Sequence, residues 1–223
     1  MAGPARTLRE RGVTSPVSRF RNAPLSTRLF LGVRWMLTPY RQMAAALPDA
    51  GSMLDLGCGH GLFAFAAIDG SPRRQILGTD HDAARIALAS EAARGVDNLE
   101  FKVGDLTAPP AGEHAAVALI DLMHYFERPK QEEILRTAGE RLARGGTLVV
   151  RDVDPNGGFV SAVNRLWEKI AIGSGFTRTK KSGFHFRTRE EWEALFRRLG
   201  FDVTSRRCSF FLFADVLFVA VKR

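Results

Sequence analysis

The stretch Leu54-Asp55-Leu56-Gly57-Cys58-Gly59-His60-Gly61 decides how this chain is read. A short apolar run, SMLDLG (52–57), leads into it, and a second, LFAFAAI (62–68), follows it. That order predicts a strand, a glycine loop and a helix. Glycines in such a loop let the backbone take positive φ and come close to a ligand, and the loop after the first strand of an open α/β sheet lines the ligand crevice. A dinucleotide site uses GxGxxG, whose third glycine packs helix on strand beside a pyrophosphate. Counting from Gly57, that place holds Leu62. The spacing here is GxGxG, with Asp55 two residues ahead of it, and a carboxylate there suits a cationic partner such as an amino group.

Outward from the loop, strands and helices alternate. RQILGTD (74–80), LEFKVGD (99–105), AAVALID (115–121) and TLVVRDV (147–153) read as strands. DAARIALASEAARG (82–95) reads as an amphipathic helix with Asp82 as its N-cap and Gly95 at its end. PKQEEILRTAGERLARGG (129–146) places Ile134, Leu135, Ala138 and Leu142 on one face and closes at Gly145. Strands separated by helical patterns imply right-handed crossovers and a parallel sheet. The ending differs. Thr188 and Glu191 form a capping box for a helix with Trp192, Leu195, Phe196 and Leu199 on one face, stopped by Gly200. Residues 201–210 and 211–223 then follow as two strands with no helix between them, an antiparallel hairpin expected at the sheet edge. Before the loop, residues 26–47 are helical at each end and broken by Pro39, so residues 25–50 are expected to form an N-terminal helical cap.

Acids close the successive strands: Asp80 with His81 after the second, Asp105 with Leu106 after the third, and Asp121, followed by Leu122-Met123-His124-Tyr125-Phe126, after the fourth. An acid at Asp80 can accept both hydroxyls of a ribose. One at Asp105 can accept from an adenine amino group. With D-x-G-x-G-x-G, the strand-two acid, Gly104-Asp105 and the strand-four loop together, the chain resembles the class I S-adenosylmethionine (SAM)-dependent methyltransferases over residues 50–221. The resemblance implies an α/β fold: a seven-stranded, mostly parallel sheet with helices on both faces and a C-terminal antiparallel hairpin strand. It also implies SAM as cofactor. The methionine part would pass Asp55, Gly57, Gly59 and Gly61, with Asp80 and His81 at the ribose, Asp105 and Leu106 at the adenine, and Asp121 near the methionine end. Cys58 reads as a small residue in a tight loop and His60 as a solvent-facing side chain.

The charge of +8 sits unevenly: the first 28 residues carry +5 and the other 195 carry +3. Residues 1–24 read as a flexible basic leader, too poor in apolar residues to order itself; an anchor for RNA or for peripheral contact with a membrane surface is the competing reading. Cys58 and Cys208 give neither a disulfide framework nor metal-ligand spacing, so a cytoplasmic setting and no metal are expected.

Methyl transfer requires the protein to align the acceptor and remove its proton. His124, on the strand-four loop, is the candidate base, since an imidazole titrates near neutrality; His185, in GFHFR (183–187), is the second. An insertion at 155–187 is long enough to cover a bound acceptor as a lid, with Arg178, Lys180, Lys181 and Arg187 able to attract an anionic one. The strand-four loop lacks the prolines of nucleic-acid amino methylation and the paired glutamates of arginine methylation, and neither cysteine suits cytosine-ring chemistry. Asp152, Asp154 and Asn156 depart from the metal-assisted catechol pattern. A small-molecule acceptor remains, most simply a hydroxyl on an aryl, lipid-like or acyl-carrier-bound compound. Two alternatives stay open: an RNA methyltransferase gripping phosphates with its basic tail, and a SAM-binding protein without transferase activity.

Overall fold

The computed structural model describes residues 15–156, 183–209 and 214–223. In chain order they form α1 (Leu25–Leu37), α2 (Tyr40–Ala44), β1 (Gly51–Leu56), α3 (Leu62–Gly70), β2 (Arg74–Asp80), α4 (Ala83–Ala92), β3 (Leu99–Val103), β4 (His114–Ile120), α5 (Arg128–Glu140), β5 (Leu142–Val153), α6 (Arg189–Arg198), β6 (Phe201–Arg207) and β7 (Asp215–Lys222). The strands make one seven-stranded sheet in the order β3-β2-β1-β4-β5-β7-β6. All neighbours from β3 to β5 are parallel; β7 runs antiparallel to both β5 and β6. This is the expected α/β fold with one reversed strand. The chain moves outward from β1 through β2 to β3, then returns to β4 on the other side of β1. Ligands of open sheets bind at that reversal, beyond the C-terminal ends of the strands.

The period-2 side-chain alternation of β1 feeds two cores. Met53 packs with α3, α4 and α2 on one face, while Leu54 and Leu56 pack with α5 and α6 on the other. Of α3, eight of nine residues are buried, because α2 covers the side that the sheet does not. Helix α6 has the full capping box predicted for Thr188 and Glu191, and Asp82 caps α4 by accepting from the Ala84 and Arg85 amides.

Two expectations need correction. Helix α5 ends at Glu140 rather than at Gly145; Leu142 already pairs with His114, so residues 142–146 open β5 through an irregular register. The C-terminal hairpin lies at the sheet edge as expected, with β7 beside β5 and β6 outermost. The leader expected to be flexible as far as residue 24 is folded where it is described. Ser15 caps a 3-10 turn over Pro16–Arg19, and Phe20 is buried edge-on against Phe65 of α3, where burying its ring favours the ordered segment. Residues 1–14, and most of the insertion expected at 155–187 with Arg178, Lys180 and Lys181, lie outside the described residues.

Arg74 also holds this architecture together. It is wholly buried at the start of β2 and donates to the carbonyls of Ala44, Leu47, Pro48 and Ala67. One guanidinium thus ties the end of α2, the turn that follows it and the end of α3 to the start of β2.

Candidate active site

A cavity of about 630 Å³ opens at the C-terminal ends of β1 to β4, within the roughly 300–1,000 Å³ range of small-molecule sites. Asp55, Gly57, Gly59, Asp80, His81, Asp105, Leu106 and Asp121 all line it. Of the residues expected to hold a cofactor, Gly61 alone is set back from the wall. Its φ is +76°, and a Cβ there would fall 2.3 Å from the Phe101 ring, so glycine is required by packing of loop on sheet. At Gly59, φ is +56° and a Cβ would meet nothing within 4 Å; there the backbone conformation selects glycine and the space in front stays open.

Each acid has a distinct task. Asp80 pins the loop: one oxygen accepts the Gly59 N–H at 2.9 Å and the other the Asp82 N–H at 2.9 Å. Each carboxylate oxygen keeps a further acceptor position for a ligand hydroxyl. His81 is exposed beside it, with Nδ1 3.3 Å from the Asp80 carboxylate. The Asp105 Oδ1 accepts from the Thr107 N–H and hydroxyl at 2.8 and 2.9 Å, bonds that hold its carboxyl below the usual range and leave Oδ2 for a ligand. Asp55 is different. It is buried, and its Oδ2 has no hydrogen-bond partner among the described residues. Burial, with the Asp80 charge adding to it, pushes its carboxyl up to about 7. A buried acid with an oxygen left unpartnered among the described residues, on a cavity wall, fits a ligand ammonium.

His60 is not solvent-facing. It lies half-buried between Phe20 and Phe30, at 6.4 and 6.5 Å between ring centroids, and burial lowers its imidazole to about 4. The third wall comes from α1 and α2, through Phe30, Leu31, Arg34 and Tyr40. Asp121, in the left-handed region at φ +57°, accepts from Arg34 at 3.0 Å and from Arg151, which also reaches Asp215. Burial pushes the Asp215 carboxyl up to about 6 against the pull of Arg151. Because β7 is reversed, its first residue arrives at the edge where β4 and β5 deliver their last. Two guanidinium groups and two carboxylates thereby balance beside the cavity.

The two candidate bases come together, but behind the wall. His124 is 2% exposed and does not line the cavity, whereas its neighbours Leu122, Tyr125 and Phe126 do. Its Nδ1–H donates to the Asp152 carboxylate, which also accepts the Val153 N–H. Tyr125, Phe184 and Phe186 surround the imidazole, with centroids 4.3, 5.9 and 5.6 Å away. His185 meets it through the backbone, its N–H donating to the His124 carbonyl at 2.8 Å. Gln131, fully buried on α5, fastens both segments: its amide donates to the carbonyls of Met123, Phe126 and His185. Arg187, expected to attract an anion, is committed elsewhere, donating to Gln131 and Arg128 and lying over the Trp192 ring. No sequence signal marks Gln131, Arg34 or Arg151 for these tasks. Asp152 was legible as an acid closing a strand, without its histidine. Among the described residues no group of three metal-ligating side chains forms.

Residues 33–206, over three-quarters of the chain, match the family described as "Methyltransferase domain". The chain belongs to that methyltransferase family. Trans-aconitate 2-methyltransferase of Sinorhizobium fredii is 32% identical to it over 120 residues, 52% of this chain and 44% of that protein. Erythromycin 3''-O-methyltransferase of Saccharopolyspora erythraea is 30% identical over 118 residues, 50% of this chain and 38% of that protein. The match thus spans less than half the length of either curated relative. The structure of an O-methyltransferase family protein from Burkholderia thailandensis superposes with a TM-score of 0.67 at 19% identity, covering 82% of this chain and 55% of that one, a likeness of fold. In this methyltransferase domain the cavity at the sheet reversal is the place where family and geometry meet.

Proposed function

We propose that this chain binds SAM through the glycine loop and catalyses methyl transfer to a hydroxyl of a small aryl or lipid-like acceptor, free or carrier-bound, with His124 as general base. The observation that carries this reading is the single cavity joining the acids at the ends of β1, β2 and β3 to the apolar wall of Phe30, Leu122, Tyr125 and Phe126. When bound, SAM supplies a methyl group already activated on a sulfonium sulfur. The residues of the chain then orient and deprotonate. Asp55 meets the amino group, Asp80 the ribose and Asp105 the adenine. Asp152 holds the Nδ1 proton of His124, so Nε2 is the nitrogen that takes the acceptor proton, and the Asp152 charge stabilises the imidazolium formed. This role requires the ring layer of Tyr125, Phe184 and Phe186 to part as the acceptor enters. His185, tied to His124 by backbone, shapes that layer.

Asp55 carries a pH signature. With its carboxyl raised to about 7, it is protonated on the acid side of neutrality in the unliganded protein, and an adjacent ammonium favours the ionised form. Binding below neutrality therefore releases a proton. SAM affinity is expected to rise by up to about tenfold per pH unit as pH approaches neutrality and to level off above it. Calorimetry in buffers of differing ionisation enthalpy counts the proton, and Asp55→Asn should abolish the dependence.

The acceptor class is tested by incubating the protein with methyl-labelled SAM and fractionated cell extract. Label is expected in small-molecule or lipid fractions. Label confined to RNA, or no transfer to any fraction, overturns the reading.

A further inference from the structure

Helix α1 is apolar on both sides. Its inner face supplies Phe30 and Leu31 to the cavity wall, while its outer face exposes Leu25 by 67%, Leu29 by 62%, Val33 by 36% and Met36 by 65%. At 3.6 residues per turn these four share one narrow stripe along the helix. Among the described residues six large apolar side chains are exposed, and four of them lie here. A solvated helix face is normally polar, so the stripe needs a partner.

Charge identifies that partner. The first 48 residues contain eight arginines and one acid, Glu10, a net +7 against +1 for the remaining 175; no acidic residue occurs from Arg11 to Pro48. Arg28 is exposed on α1 beside the stripe, and Arg21 is exposed just before the helix in the chain. An apolar stripe beside arginines on an exposed helix face matches the interfacial helices that lie in the headgroup region of anionic membranes. Other occupants fit less well. A second copy would bring like charge against like charge. RNA would leave the leucines and the methionine unused. A folded acidic protein would need a groove to receive a convex ridge, whereas a fluid bilayer moulds to it.

We infer that the outer face of α1 docks on the surface of an anionic lipid bilayer, with Leu25, Leu29 and Met36 inserted among the headgroups and Arg21 and Arg28 on the lipid phosphates. No helix among the described residues is long and apolar enough to cross a membrane; the contact is with the surface. A helix is about 10 Å across, so docking sets the α1 wall of the cavity that far from the lipid. The docking itself does not depend on the methyl-transfer reading.

Co-sedimentation of the full chain with vesicles tests it. Binding to mixed phosphatidylserine–phosphatidylcholine vesicles should be about tenfold or more tighter than to phosphatidylcholine alone and should weaken as salt is raised. Leu29→Glu with Met36→Glu should reduce it by about tenfold or more, because both stripe contacts are lost and negative charge is added. Neither side chain lines the cavity, so SAM affinity should stay unchanged and reports that the variant is folded. Should that pair not fold, Arg21→Gln with Arg28→Gln must remove the preference for phosphatidylserine. Equal, weak sedimentation with both vesicle types overturns the inference, and so does binding that survives both variant pairs. A dimer by light scattering that becomes monomeric in the glutamate pair, without vesicle binding, assigns the stripe to a second copy instead. Binding to RNA or to an acidic carrier protein that the same variants abolish, again without vesicle binding, overturns it too.

Discussion

Replacing His124 by alanine is expected to lower turnover by about 10²–10⁴-fold, the range for losing a general base, while SAM affinity stays near that of the parent protein. The imidazole is not part of the cavity wall, and among the described residues it meets Asp152 and the rings of Tyr125, Phe184 and Phe186. A base and a packing element are separated by the pH–rate profile. With His124 as base, turnover rises as the imidazole deprotonates, and that limb disappears in the variant. Asp152→Asn should give a partial loss in kcat with little change in KM, because the ring keeps its place and loses the charge that stabilises the imidazolium. His124→Ala with undiminished turnover, or with the same rising limb, removes His124 from the mechanism.

Asp80→Ala is expected to weaken SAM binding by about 1–3 kcal/mol, read by calorimetry, the range for charge-assisted hydrogen bonds to a ligand. Two losses combine. The ribose hydroxyls lose their acceptor, and the Gly59 and Asp82 amides lose theirs, so the glycine loop is no longer tied to the end of β2. Asp80→Asn keeps one acceptor oxygen and should fall between the two. Unchanged affinity in the alanine variant would remove the cofactor assignment for the loop.

These two residues illustrate how far the sequence could be read. Asp80 was legible because its position follows from local order: an apolar strand ends, and the acid stands at the mouth. His124 was legible as a histidine on the loop after β4, but its burial and its pairing with Asp152 were not. Those depend on residues 28 positions apart and on the aromatic strip of 183–187 folding back over the loop. The same contrast holds for the helices. The α6 capping box is a four-residue pattern legible from local sequence, whereas α5 ends before Gly145 because His114 captures the Arg141 carbonyl and Leu142 pairs with β4, a competition that helical periodicity does not display.

By itself, then, the sequence determined the alternation of strands and helices, the glycine loop with Leu62 in place of a third dinucleotide glycine, and the acids at Asp55, Asp80 and Asp105. All of these are set by neighbours within a few residues through backbone conformation and side-chain periodicity. Only the tertiary structure decided that β7 enters beside β5 and brings Asp215 to Arg151, that Arg74 ties together the ends of α2 and α3, and that Asp55 is a buried acid whose Oδ2 has no partner among the described residues. It likewise turned the outer face of α1 into an exposed apolar stripe. Each of these comes from burial and from contacts between distant segments, whose hydrogen bonds and charges balance only once the sheet order is set.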